Sequence, residues 1–243
     1  IVVSPLISLM KDQVEALHEC GVDAARLDST LDEPERRDVY RRARSGELKL
    51  LYVSPERLLM DGFLDWVSKL ELSMIAVDEA HCVSMWGHDF RPEYRRLGEL
   101  KEALPGVPRH AFTATATEIV RTDIAEQLRL DEPEFLVGSF DRPNLVYRTK
   151  PRGRGNRQIV DAVKRHPNSS GIVYCIRRAD VDALCAELCA AGVRAAPYHA
   201  GLPDDARKAN QEAFVREDVE VVVATVAFGM GIDKSNVRYV IHA

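Results

Sequence analysis

Two adjacent acids, Asp78 and Glu79, follow the apolar run Met74-Ile75-Ala76-Val77 with no breaker between them. A carboxylate at the tip of a buried strand can hold Mg²⁺ through water while the metal bridges the β- and γ-phosphates of a nucleotide. Its neighbour Glu79 then stands where it can orient and polarise an attacking water. That chemistry rests on positioning and charge stabilisation rather than on a covalent intermediate. His81 brings a further polar group to the same junction. An Asp-Glu pair alone is more often a surface acidic turn, but the full string Asp78-Glu79-Ala80-His81 behind a strand favours the phosphate reading. A zinc site built from His81 and the acids is weaker, because zinc takes three or four convergent ligands and the spacing offers none.

Just beyond the acids, the stretch 84–91 gathers Trp86, Gly87, Phe90 and Arg91. Aromatic faces stack bases without regard to sequence, Arg adds charge and cation–π attraction, and Gly87 permits a tight backbone path. A base gripped there would shift the segment carrying Asp78 and Glu79, so that hydrolysis would accelerate only on a bound strand. The spacing of four between Trp86 and Phe90 is also that of two core contacts on one helix face, and both readings stand at this point. Further along, Gly229 and Gly231 let the backbone turn closely with free N–H groups toward phosphate or ribose, and Asp233 could accept a ribose hydroxyl. A GxG is also an ordinary turn, and Phe228 and Met230 read as packing residues. His199 is either structural or a backbone or interdomain contact. Lys11, Arg57, Arg142 and Arg177 are candidates for phosphate neutralisation. The pairs Arg36-Arg37 and Arg41-Arg42 read as solvated helix faces, and one of the threonines in 115–117 caps the helix that begins at Glu118.

The elements that must position these groups alternate. Short β-branched runs at 1–3, 48–53, 74–77 and 111–113 read as buried strands, with amphipathic helices over 6–20, 33–45, 63–70, 94–103 and 118–128 between them. The pattern restarts with a helix at 155–165, strands at 171–175, 193–196, 219–225 and 237–241, and helices at 181–190 and 205–216. This order predicts α/β architecture with mostly parallel sheets flanked by helices. Pro, Gly and charge over 141–154 mark the boundary between two domains, 1–141 and 142–243. Two such domains leave a cleft, and parallel sheets bind ligands at the carboxyl ends of their strands, which puts the chemistry just after Val77, Thr113 and Thr225.

Composition is permissive: 243 residues, 46% apolar and 29% charged, with a net charge of −5 from 33 Lys and Arg against 38 Asp and Glu. The acidic total does not exclude nucleic acid, because a local strip of Arg and Lys is what meets phosphates. Five cysteines without a CxxC pair argue against a disulfide framework and for free, mostly buried thiols in a reducing compartment, the cytoplasm or, in a eukaryote, the nucleus. No apolar run reaches 18 residues, so no membrane span is expected. The opening at Ile1 inside a strand and the abrupt end at Ala243 suggest a segment cut short at both ends.

The chain resembles the core of the RecQ family of DNA helicases, within the DExH class of two-domain nucleic-acid motors. The resemblance runs over essentially the whole sequence, through IVVSPLISLMKDQVEAL at 1–17, LYVSPERL at 51–58, VDEAHCVSMWGHDFRPEY at 77–94, FTATAT at 112–117, SFDRPNL at 139–145, GIVYC at 171–175, YHAGL at 198–202 and VVVATVAFGMGIDKSNVRYVIH at 221–242. It implies two RecA-like domains separated by a nucleotide and DNA cleft, and an ATP-dependent helicase moving 3′ to 5′ on single-stranded DNA and opening forked or partly duplex DNA in repair and recombination, with repair proteins as partners. It also implies Asp78 as the Mg²⁺-binding acid, Glu79 as the water-activating one and His81 as the link to the rest of the motor. Trp86, Phe90 and Arg91 would sense single-stranded DNA, and Thr113 and Thr115 would couple the domains. Gly231 and Asp233 would lie near the ATP, and Ser4, Pro5 and Thr225 would touch the DNA backbone. Where the family has Ser-Arg after its YC string, this chain has Arg177-Arg178. No GxxxxGK[ST] phosphate loop is present. In the family it lies upstream, and an arginine-rich motif and a zinc-binding, winged-helix region lie downstream, so zinc is expected only outside this segment and the segment alone is expected to be inert. An RNA-directed DExH motor and a non-hydrolysing nucleic-acid scaffold are the competing readings.

Overall fold

The computed structural model describes the chain apart from residues 88, 140, 152, 154, 226–227 and 229–233 and the side chain of Ser8. Two compact units divide between Gly138 and Ser139. In the first, strands β1 (Val2–Val3), β2 (Ala24–Leu27), β3 (Leu50–Val53), β4 (Ile75–Val77) and β5 (Arg109–Ala111) pair in the order β2-β3-β1-β4-β5, every pair parallel. In the second, β6 (Ser170–Tyr174), β7 (Ala195–Tyr198), β8 (Val221–Ala224) and β9 (Val237–His242) pair in the order β7-β8-β6-β9, again parallel.

Parallel strands need crossovers, and the helices that supply them cover both faces. In β8, Val221 and Val223 join one core with Val181, Leu184 and Leu188 of the helix Arg178–Ala190. The alternate residues Val222 and Ala224 join another with Phe214 and Phe228. The first sheet divides the same way: Leu51 and Val53 of β3 face the main core, while Tyr52 packs with Met10 and Val14 of the helix Ile7–Glu19. A four-residue run of Val and Ala is thus buried on both sides because alternate residues face opposite layers.

Register positions the chemistry. Val3 lies opposite both Val53 and Val77, and Val77 opposite Ala111. The next residues, Ser4, Ser54, Asp78 and Phe112, therefore emerge along one carboxyl edge. In the second sheet Tyr174 and Tyr198 both lie opposite Ala224, which sets Cys175, His199 and Thr225 at the corresponding edge.

Several expected elements shift. β2 is absent from the predicted set, because Ala-Ala-Arg-Leu has little intrinsic strand preference and pairs only because β3 lies beside it. The strand expected at 111–113 sits at Arg109–Ala111, and that at 193–196 sits at Ala195–Tyr198. The continuous helix expected over 94–103 is instead Pro92–Arg95, a 3₁₀ turn at Arg96–Glu99, and Leu100–Ala103. Gly98 sits in that turn, where a Cβ would collide with the Gln127 carbonyl, so the neighbouring helix Glu118–Gln127 approaches closely. All five cysteines are free, with Cys82, Cys175 and Cys185 buried. No described helix is long and apolar enough to cross a membrane.

Candidate functional site

β4 delivers Asp78 and Glu79 half-buried at its carboxyl end. The Asp78 N–H donates to the Val3 carbonyl at 2.9 Å, continuing the ladder, and its carbonyl accepts from the Tyr94 hydroxyl at 3.1 Å. Burial pushes the Tyr94 phenol far above its ordinary range, so it remains a neutral donor. Glu79 adopts the left-handed conformation, φ 47° and ψ 42°, uncommon for a residue with a side chain. Its N–H donates to Asp78 Oδ1 at 2.9 Å, and the next N–H, of Ala80, donates to the Phe112 carbonyl at 2.9 Å. Those two bonds hold the turn at Glu79, whose carboxylate lies against the His81 ring.

His81 is buried, with Nδ1 3.1 Å from Glu79 Oε2 and 2.9 Å from Thr113 Oγ1. An ionised carboxylate only accepts, so Nδ1 carries the proton and shares it between the two oxygens. Thr113 Oγ1 also accepts from the Thr115 N–H at 3.2 Å. The string 113–115 beyond β5 is therefore wired to the catalytic candidate Glu79 through one imidazole. Thr117, not Thr115, caps the following helix, accepting from Val120 N–H.

The loop from 84 to 91 is closed at its base, where the Arg91 N–H donates to the Cys82 carbonyl at 2.9 Å. Ser84 anchors its start: the buried hydroxyl donates to Asp123 Oδ2 at 2.5 Å on the neighbouring helix and accepts from the Trp86 N–H. Burial, with the Asp89 carboxylate adding to it, pushes the Cys82 thiol up to about 12, so this residue packs rather than reacts. The core-contact alternative for the aromatics does not hold, since Trp86 is 75% and Phe90 37% exposed. Arg91 is braced by Asp89 Oδ2 at 3.1 Å and donates through Nη1 to the Pro5 carbonyl at 3.1 Å. That contact brings the loop to the segment after β1. Pro5 is half-buried there, but Ser4, expected at a DNA backbone, is fully buried, its hydroxyl without a hydrogen-bond partner among the described residues.

In the second unit, His199 is buried, its Nε2 donating to Asp182 Oδ1 at 3.0 Å and its Nδ1 accepting from the Gly201 N–H at 3.1 Å. Thr225 lies beside it, its N–H donating to the Tyr198 carbonyl at 3.2 Å. Arg142 is exposed and opens a turn, its carbonyl accepting from the Leu145 N–H at 2.8 Å. Gly231 and Asp233 lie outside the described residues. Among the described residues no group of three or more His, Cys, Asp or Glu is placed to hold a metal.

Residues 1–122 match the family model of the DEAD/DEAH box helicases, and residues 155–243 that of the helicase conserved C-terminal domain. Over its whole length the chain is 48% identical to the ATP-dependent DNA helicase RecQ of Pasteurella multocida and 44% identical to that of Bacillus subtilis. This chain belongs to the RecQ family of DEAD/DEAH box helicases. It spans 38% and 41% of the lengths of those two relatives. The Mycobacterium smegmatis helicase Lhr, solved with single-stranded DNA and AMP-PNP, shares the fold at a TM-score of 0.65 and 18% identity, over 99% of this chain and 35% of that one. Both units are accordingly RecA-like, each a parallel sheet between helices.

Within this RecQ-family chain the departure at Arg177 has a local explanation. Residue 177 is the N-cap of the helix Arg178–Ala190, and a guanidinium cannot accept the N–H bonds that a Ser there would. Arg177 instead forms a two-point pair with Asp180, at 2.8 Å on each arm, in the first turn. Sequence reasoning missed the Ser84–Asp123 anchor and the Tyr94–Asp78 bond, which join residues 39 and 16 apart and leave no periodic signal. Gly87 is needed for close approach: a Cβ there would lie 2.5 Å from the His81 carbonyl oxygen. Gly87→Ala is expected to destabilise the first unit by about 1–3 kcal/mol, read by urea unfolding, because backbone must give way.

Proposed function

We propose that this chain is the motor of an ATP-dependent DNA helicase, coupling ATP hydrolysis to 3′-to-5′ movement on single-stranded DNA and to the opening of forked or partly duplex DNA in repair and recombination. The observation that carries the reading is the wiring of one edge: the acids Asp78 and Glu79 share hydrogen-bonded segments with a loop that turns two aromatics outward. Asp78 suits Mg²⁺, which takes one or two carboxylates and completes its shell with water and phosphate oxygens. When bound, that ion neutralises charge on the phosphates. Glu79 orients and polarises the attacking water, and the His81 Nδ1–H, anchored on Thr113, holds its carboxylate in place. Trp86 and Phe90 stack unpaired bases, and Arg91 transmits their position to Pro5 and, through Cys82, to the acid turn. From the second unit, Arg142, His199 and Thr225 serve the DNA side, and Gly231 and Asp233 the ATP, as the family resemblance implies. The names of the RecQ relatives and the DNA and AMP-PNP held by Lhr support the same substrates. ATP turnover by the full-length protein should rise about tenfold or more with single-stranded DNA and stay basal with RNA or with neither, as oriented groups are completed only by the strand. Equal turnover in all three conditions, or greater stimulation by RNA, would replace this reading with one of an RNA-directed motor or a scaffold.

A further inference from the structure

A pocket of about 850 Å³ lies against the helix Glu33–Arg44 in the first unit, and none of its lining residues belongs to the acid and loop site. Its floor is aromatic: Tyr40 and Trp66 meet edge to face at 4.6 Å, and Phe63 lies 5.2 Å from Trp66. Its rim is cationic. Arg37, Arg41 and Arg44 recur at spacings of four and three, which stacks them on one helix face, and Arg57 enters from another wall. The described lining sets one carboxylate, Asp61, against these four guanidinium groups.

Two features point to a ligand rather than to a solvated helix face. Arg57 Nη2 donates to the Tyr40 hydroxyl at 2.9 Å and its guanidinium lies over the Phe63 ring, yet its Nε is enclosed without an acceptor among the described residues, as is Trp66 Nε1. Enclosed donors without acceptors are costly, and an oxygen-rich ligand reaching them with modest side-chain movement relieves that cost. The rim cations also remain available. Arg37 and Arg41 have side chains 72% and 60% exposed, so their pairs with Glu33 at 3.4 Å, and with Asp38 at 2.8 Å and Glu47 at 3.1 Å, are surface pairs of small net worth that phosphate can displace.

The choice of ligand comes from continuity along the carboxyl edge. Arg57 lies in the turn Pro55–Leu58 that follows β3 and is capped by Ser54. Ser54 emerges beside Ser4-Pro5, because the Ser4 N–H donates to the Val53 carbonyl at 3.0 Å, and Pro5 is the residue bonded to Arg91 of the aromatic loop. The edge thus runs from Pro5 past Ser54 to Arg57, and from Arg57, through its bond to Tyr40, the stripe Arg37, Arg41 and Arg44 continues down the helix Glu33–Arg44. Bases on aromatic surfaces with phosphates on a cation stripe are how single strands are held without sequence preference. An acidic peptide would meet the same arginines but has no such path leading to them.

We propose that this pocket is a second grip on the single strand, taking one unstacked nucleotide with its flanking phosphates on Arg37, Arg41 and Arg44. The inference rests on the DNA-motor reading above and extends it to a site remote from the acids. Its test uses the full-length protein and the double variant Arg37→Ala with Arg44→Ala, both exposed positions, with oligothymidylates of about 4 and about 16 residues as probes. For the long probe the variant should bind about tenfold more weakly, and the slope of log affinity against log salt should be shallower by about 1.4, the share of two phosphates on a single strand. The short probe should bind as before. Loss on both lengths alike, or on neither, overturns the pocket. A long probe carrying 4-thiothymidine should crosslink to Tyr40 or Trp66, and crosslinks confined to the 84–91 loop would overturn it as well. Binding of polyglutamate, but not of the long probe, in a manner sensitive to the double variant would reassign the site to a protein partner. Failure of the wild type to bind any oligonucleotide would bring down the DNA-motor reading itself, whereas normal DNA-stimulated hydrolysis with an unaffected double variant would remove the pocket alone.

Discussion

Replacing Glu79 by Gln in the full-length protein leaves ATP and single-stranded DNA binding intact and lowers ATP turnover by about 10²–10⁴-fold. Gln keeps the shape of the side chain and, through Oε1, the bond from His81 Nδ1–H, so the turn at φ 47° has no reason to collapse. What is lost is the negative charge beside the attacking water, which matters only as the reaction proceeds. The effect therefore falls on kcat, with KM near its original value. Loss of nucleotide binding, or turnover within a few-fold of wild type, would show that Glu79 is a structural acid in a strained turn. Asp78 cannot serve as the same probe. Its Oδ1 accepts the Glu79 N–H, so its removal would disturb the turn as well as any bound ion.

Truncating Trp86 and Phe90 together to Ala is expected to abolish DNA stimulation of ATP hydrolysis while leaving the basal rate near normal. Trp86 is 75% exposed and its loss removes little packing, while Phe90 is 37% exposed, so the pair should lower unfolding free energy by no more than about 1–2 kcal/mol and leave the unit folded. Base stacking is worth about 1–3 kcal/mol for each aromatic removed, so affinity for single-stranded DNA should also fall about tenfold or more. The loop itself should persist, held by Ser84 on Asp123, Arg91 on Pro5 and the Arg91–Cys82 backbone bond. Stimulation retained at saturating DNA would mean that the strand signals to Glu79 by another route, and the coupling through Cys82 and the acid turn would have to be abandoned.

The two experiments separate chemistry from coupling because the structure gives each a distinct path. Glu79 is reached from β5 through Thr113 and His81, and from the loop through the 3₁₀ turn Ala80–Val83 that joins the acids to Ser84. A variant that broke the fold would depress basal and stimulated turnover together. The two predicted here divide them.

Much of this arrangement was legible in local pattern. Apolar β-branched runs ending in polar residues marked β1, β3, β4, β6 and β8, because a strand covered on both faces must be apolar throughout while its carboxyl end meets solvent. The acids behind Val77, the aromatics and Arg91 just beyond, and the capping threonine before Glu118 follow from neighbours in the chain, where bonding distances are set by covalent geometry. What the chain order left open was settled by packing between distant segments. β2 exists because β3 offers it partners, Trp86 and Phe90 point outward because Ser84 is tied to a helix 39 residues away, and Ser4 is enclosed because its strand lies between β3 and β4. The arginines of 37–44 read as a solvated face until Tyr40, Arg57 and Trp66 closed a pocket beneath them. Periodicity states which side of an element is apolar, but only the meeting of elements decides which polar groups converge, since hydrogen bonds and enclosure depend on distances that sequence separation does not carry.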